Sequence, residues 1–369
     1  MLRNKINMTF FKNFLPKIIV STLIVLFLIL APFTVFPKLS LLNYSVNKEY
    51  KLDFQGVLTL WNVDTFEGGS ISRTVFLEKR AIEFEKHNKG VYISVQNISL
   101  EHLKLNLQAG KKPNIITFGI GVENLFCNEV INLDNIGLVR EDLLASAKID
   151  GKLKALPIML GGYTLISNKE KLSGDDICES LKHGNKNIIF SSNDSINPLM
   201  ALFVNNITLE GQKASDVDSF DAYDKFIHNS FDALLGTQRD FYRCKNRENN
   251  MKMQCNYNTL GGFSDLIQYA SVFSCEAKKE EICKEFLNYL ISENVQKNLA
   301  NINMFSVLDI NIYQDEFYKQ FNNILLKKIK TLNCFLKKEE LDSLKMKLQE
   351  FVLEGKTENK DEIKKFLNI

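Results

Sequence analysis

From Gly56 to Phe118 short apolar runs alternate with amphipathic segments, and that alternation restricts the possible fold more than any other feature. Val57 to Trp61 is bulky and partly β-branched and is cut short by turn residues, which predicts a buried strand rather than a helix. Ser70 or Ser72 then opens a helix on which Leu77, Ala81 and Phe84 recur at i, i+4 and i+7, ending near Asn88 and Gly90. Val91, Ile93 and Val95 alternate as a second strand. Ser99 caps a second helix, carrying Leu100, Leu103 and Leu107 and closed by Gly110, and Asn114 to Phe118 forms a third apolar strand. Strand, helix, strand, helix, strand predicts parallel pairing through right-handed crossovers, hence an α/β protein.

In open α/β sheets ligands bind beyond the carboxyl ends of strands. There the first strand carries Trp61, the only tryptophan, followed by Asp64, Phe66, Glu67, Gly68 and Gly69. Trp61 reads equally as core packing or as a ligand contact. The third strand ends in Gly119 and Gly121, but Asn124 stands where a dinucleotide fingerprint needs its third glycine.

The amino terminus differs in kind. Arg3, Lys5, Lys12 and Lys17 precede an uncharged run from Ile18 to Pro37 that is long enough to cross a bilayer core of about 30 Å as a helix. The cationic flank predicts a cytoplasmic segment over 1–17, a transmembrane anchor or signal over 18–37 and a tether over 38–53, with the rest of the chain extracytoplasmic. No small-x-small cleavage site follows Ala31 and no cysteine precedes Cys127, so an uncleaved anchor is favoured over a cleaved signal or a lipid attachment.

Forty-six basic and 44 acidic side chains are mixed along the 369 residues, which gives no basic stripe for nucleic acid. Seven cysteines without a close C-x-x-C pair give no zinc ribbon and read mostly as small buried hydrophobes. Four histidines, His87, His102, His183 and His228, lack ligand spacing, and no H-E-x-x-H, G-x-S-x-G or Walker loop is present. Neither a metal nor a cofactor is expected, nor an enzyme.

Several runs then resemble one family in order and spacing. A strand ending in an aromatic is followed by the helix Phe76 to Asn88, by Gln108-Ala-Gly-x-x-Pro-Asn-Ile-Ile116, by Asp150 to Pro157 ending Ala-Leu-Pro, and by a strand from Tyr163 to Asn168. Phe231 to Arg239, Gly261 to Ile267 and Glu285 to Gln296 continue the pattern. The chain from Gly56 onward resembles an extracellular solute-binding protein of the sugar-type (family 1) ABC importers. It departs in having no lipobox cysteine and only one tryptophan.

The resemblance implies a two-lobed solute-binding fold, type II-like, with a hinge and central cleft: residues 54–156 and 259–308 as lobe one, 157–258 and 309–369 as lobe two. Leu341, Leu344, Leu348 and Phe351 mark a carboxyl-terminal helix packed on lobe two. The implied ligand groups are Trp61, Asp64, Phe66 and Glu67 from the first loop and Tyr163 near the hinge. Thr237, Gln238 and Arg239 join them from lobe two, and Gly261, Gly262 and Asp265 from the return. Arg239 could equally pair with Asp240 at the surface. The implied ligand is a polar solute, foremost a carbohydrate, and the implied partner an ABC permease. Two other readings stay open: a surface sensor or glycan-binding module on the same fold, and an anchored glycosidase using Asp64 and Glu67.

Overall fold

The computed structural model describes residues 20–27, 54–134, 136–172, 187–247 and 253–367. Of the anchor, only 20–27 falls inside these ranges: it is helical, with Val20, Leu23, Ile24, Val25, Leu26 and Phe27 exposed. The basic segment, the tether and the remainder of the anchor lie outside the described residues. Among the described residues no helix is long and apolar enough to cross a membrane. The chain divides into a unit over 1–52 and a second over 53–369, and the second holds every strand and all the helices from Arg73 onward.

The alternation seen in the sequence is present. Strand β1 (Gly56–Val63) leads to helix α1 (Arg73–His87), β2 (Val91–Ile98), α2 (Leu100–Gln108) and β3 (Ile115–Phe118). Both β2 and β3 pair with β1 in parallel. Ser99 caps α2 by accepting the His102 amide at 3.2 Å, whereas Ser72 precedes α1 without a side-chain cap. After a one-turn helix α3 (Glu141–Leu144) and a two-residue hairpin, β4 (Lys148–Ile149) with β5 (Lys152–Leu153), β6 (Leu156–Leu160) returns to this sheet.

Beyond Gly161 and Gly162 a second sheet begins. It comprises β7 (Tyr163–Asn168), β8 (Ile188–Phe190), β9 (Ala233–Thr237) and β10 (Cys255–Leu260), with α4 (Pro198–Val204), α5 (Ser219–Ile227) and α6 (Gln238–Arg247) between them. The chain then goes back as β11 (Ile267–Val272), which completes the first sheet in the order β2-β1-β3-β11-β6; the second runs β10-β7-β9-β8. Helices α7 (Ala277–Leu290) and α8 (Glu293–Lys297) follow, then α9 (Glu316–Leu325), α10 (Lys338–Glu354) and α11 (Lys360–Lys365).

Three expectations need correction. Pro157, expected at the start of the second lobe, lies inside β6. It sits opposite Tyr269, where the β6–β11 register shifts, and an irregularity of this kind tolerates a residue without an amide donor. The first crossing therefore falls at Gly161–Gly162. Thr259 and Leu260, expected in the first lobe, pair with Thr164 and Tyr163 in the second sheet, so the return comes after Leu260. The parallel pairing predicted for the first three strands also does not extend through the sheets: β11 is antiparallel to β3 and β6, and in the second sheet only β8 and β9 are parallel.

Packing follows the apolar patterns. Phe118 sits among Phe126, Tyr269 and Phe335, with ring centroids 5.1 to 5.9 Å apart. Ile166, Ile189, Tyr223, Phe226, Leu234, Cys244 and Cys255 form the core under the second sheet. Leu341, Leu344 and Leu348 of α10 are buried, and Phe351 meets Phe203 of α4 edge-on at 5.0 Å. Five of the six described cysteines are buried, as expected of small hydrophobes. Leu60 is wholly buried, and its strand is flanked by Val95 on one side and Ile115 on the other. Replacing Leu60 by Ala leaves a cavity that rigid neighbouring strands cannot close; urea unfolding is expected to show a loss of about 2–5 kcal/mol.

Candidate functional site

The loop after β1 is shaped by close approach. A Cβ on Gly69 would sit 1.6 Å from the carbonyl oxygen of Ile302, and one on Gly68 would lie 2.9 Å from the Arg73 side chain. Without side chains there, Ser70 N–H reaches Ile302 O at 2.7 Å and Gly69 N–H reaches the Met304 sulfur at 3.1 Å. The loop then folds over Arg73, the first residue of α1. Its guanidinium pairs with Asp64 at 2.8 Å, donates to Phe66 O at 2.5 Å and lies 4.1 Å from the centre of the Phe66 ring. Burial lowers the Arg73 pKa, and the attraction and hydrogen bond of Asp64 oppose that shift.

Helix α6 begins directly after β9 and faces this loop. Asp240 accepts the Thr237 amide at 2.9 Å, and a Cβ on Gly236 would lie 2.6 Å from the same carboxyl oxygen, so glycine is required there. Arg239 Nη1 donates to Gly69 O at 2.6 Å. One turn on, Arg243 grips Glu67 with both terminal nitrogens, Nη1 to Oε2 at 2.7 Å and Nη2 to Oε1 at 2.8 Å. Arg243 is held from its own side as well, by Asp240 at 3.2 Å and by the rings of Phe220 and Tyr223 at 5.3 and 5.1 Å. Burial works to lower the Arg243 pKa, but Glu67 and Asp240 outweigh it and the guanidinium sits above its ordinary value. Gln238 exchanges both backbone and side-chain hydrogen bonds with Gly162 at 2.9 Å and touches Met304 at 3.3 Å.

Tyr163 faces Thr237 in register and opens a second, buried cluster. Its hydroxyl donates to Asp265 at 2.5 Å, and its ring stacks on Phe263 at 6.1 Å. The other Asp265 oxygen accepts the backbone and side-chain N–H groups of Asn197 at 2.8 and 2.9 Å. Burial, then the Asp265 charge, push the Tyr163 hydroxyl well above its usual pKa, and burial raises Asp265. Behind these groups lies a small pocket lined by Tyr163, Ser191, Ile196, Ser219, Thr237 and Asp240.

Part of the expected set lies together, its members partnered with one another or with neighbouring arginines. Asp64, Phe66, Glu67, Thr237, Gln238 and Arg239 share one neighbourhood, continued through Thr237 to Tyr163 and Asp265. Trp61 is buried in β1. Gly261 and Gly262 do not join the arginine cluster: their neighbours are Ile324, Val204 and Asn205, with Gly262 at φ +78°. Gly161 and Gly162 take the place expected of them beside Gln238. Arg239 bonds Gly69 rather than Asp240, and it is Arg243 that holds Asp240. Asp64 and Glu67 each bind a different arginine, an arrangement unlike two carboxyls flanking a glycosidic bond. Among the described residues no group of three or more His, Cys, Asp or Glu side chains could hold a metal ion. Arg73, Asn197, Arg243 and Met304 were not anticipated; an arginine spaced i, i+4 from Arg239 was the one available signal.

No protein-family model matches the chain, and no curated protein matches it by sequence. Solved structures do match. The GacH receptor of Streptomyces glaucescens, solved unliganded and with acarbose, superposes with a TM-score of 0.57 at 14% identity, covering 85% of this chain and 99% of that one. The sugar-binding protein MalE of Xanthomonas citri gives 0.59 at 13%, covering 85% and 96%. A family 1 extracellular solute-binding protein of Bifidobacterium longum subsp. infantis gives 0.58 at 14%, covering 84% and 97%. The fold is therefore the α/β architecture of extracellular solute-binding proteins, and its structural neighbours are binding proteins rather than enzymes.

Burial lifts the Asp240 carboxyl from 3.8 to about 6, against the opposing Thr237 amide and Arg243 charge. A carboxyl raised on folding contributes stability below its unfolded pKa and loses it as pH rises to the folded one. Between about pH 4 and 6 the wild type is expected to lose unfolding free energy relative to Asp240→Asn, as measured by denaturant titration at each pH.

Proposed function

We propose that this chain is the substrate-binding component of an ABC importer, held outside the cell by its hydrophobic amino-terminal segment, and that it closes two lobes over a saccharide. The lobes follow the two sheets, with Gly161–Gly162 and the segment from Gly261 to Leu266 as hinge strands. The observation carrying this reading is the set of hydrogen bonds from Arg239 and Arg243 on α6 to Gly69 and Glu67 after β1. The donors belong to one sheet and the acceptors to the other, so contacts of this kind exist only when the two approach. A ligand bonding both sides shifts the population toward the closed form, which is the surface a permease distinguishes. Hydroxyls match the donors and acceptors of α6 and the loop, and a fold shared with an acarbose-binding receptor supports a sugar over other polar solutes.

A thermal-shift panel of mono- and oligosaccharides, amino acids and polyamines tests the assignment. A sugar present at a hundred times its Kd is expected to add about 2.7 kcal/mol to unfolding, with no response to the other classes. Stabilisation by amino acids or polyamines alone would remove the sugar assignment. For the closure, Glu67→Ala is expected to increase the ligand-free radius of gyration in solution scattering; an unchanged radius would show that the Glu67–Arg243 pair does not hold the sheets together.

A further inference from the structure

We propose, resting on the saccharide-binding reading above, that the site selects acidic saccharides and that Glu67 stands in for the ligand's carboxylate. The groups presented by α6 toward the loop are all donors: Arg239 Nη1 and both terminal nitrogens of Arg243. Those presented by the loop are all acceptors: Gly69 O and the two oxygens of Glu67. Arg243 does not depend on Glu67 for its place. Asp240, Phe220 and Tyr223, all on the same side of the cleft, hold its guanidinium by an ion pair and two ring faces.

When the loop withdraws, the fork stays where it is and has lost a planar, two-oxygen anion. A sugar hydroxyl replaces that anion poorly, since hydrogen bonds to a charged acceptor are roughly twice as strong as neutral ones and a hydroxyl offers the fork one oxygen where a carboxylate offers two in its plane. A uronate carboxylate replaces it group for group. Glu67, 36% exposed against 13% for Arg243, is the more accessible partner and the one on a loop, so it is the partner that moves. Its release exchanges one carboxylate for another at Arg243 and leaves the buried charge of Asp240 paired throughout.

Calorimetry with oligogalacturonates and glucuronate, set beside maltotriose and galactose as neutral probes, tests this on wild type, Glu67→Gln, Arg243→Gln and Arg243→Lys, each checked for native circular dichroism. The acidic sugars are expected to bind. Arg243→Gln is expected to weaken them by about 30-fold or more, the size of losing one partner of a desolvated charge pair. Arg243→Lys, which keeps the charge without the fork, is expected to recover only part of that loss, and covers the case in which the Gln variant does not fold. Glu67→Gln is expected to tighten acidic sugars by about tenfold, because the closed, self-occupied form no longer competes. Neutral sugars that bind while acidic ones do not would overturn the selectivity and leave the saccharide reading intact. Acidic sugars whose affinity moves less than about twofold in Glu67→Gln or in both Arg243 variants would overturn the exchange. Binding of no sugar at all would remove both readings together.

Discussion

The α6 side of the site rests on the hydrogen bond between Tyr163 and Asp265. Tyr163 opens β7 directly after the Gly161–Gly162 crossing, Asp265 lies in the return between β10 and β11, and each is almost fully buried. A buried hydroxyl and a buried carboxyl are tolerated only with partners, and these two serve one another, with Asn197 closing the remaining oxygen. The crossing segments are thereby tied together and to the start of α4. Because Tyr163 faces Thr237 in register, the same tie fixes the end of β9 and the direction in which α6 departs. Arg239 and Arg243 point at the loop after β1 as a result.

That loop is set by an opposite logic, the removal of side chains. Gly68 and Gly69 allow the backbone to lie against Ile302 and Arg73, and the buried Arg73 then gathers Asp64 and Phe66 around its charge. What remains pointing outward is Glu67 and the Gly69 carbonyl. The electrostatics are therefore divided: one arginine buried to build the loop, two left at the rim to meet it.

Much of this is legible in the chain. The alternation of β1, α1, β2, α2 and β3 follows from apolar periodicity and the Ser99 cap, because local patterns decide local elements. The loop residues Asp64 to Gly69 stand out in the sequence because loops at strand ends concentrate unusual residue types, whereas Thr237 to Arg239, which carry the chain from β9 straight into α6, stand out only through the family resemblance. Pro157 is misleading because its tolerance depends on a register shift opposite Tyr269, a property of the partner strand and not of the sequence around the proline. Arg73 and Asn197 escape notice for a related reason: what makes them structural is desolvation by distant segments, and a lone arginine or asparagine carries no periodicity to betray it. Two similar glycine pairs, Gly161–Gly162 and Gly261–Gly262, follow strands of the chain, and only packing against Gln238 distinguishes the first from the second.

The aromatic cradle around Arg243 has a consequence for kinetics. A free arginine side chain carries about 2 kcal/mol of rotamer entropy, which a partner must normally suppress on arrival. Held against Phe220 and Tyr223 and paired with Asp240, this one has already surrendered that freedom during folding. A carboxylate that pairs with it, as Glu67 does, meets a guanidinium already oriented, so forming the pair does not wait on a rotamer search.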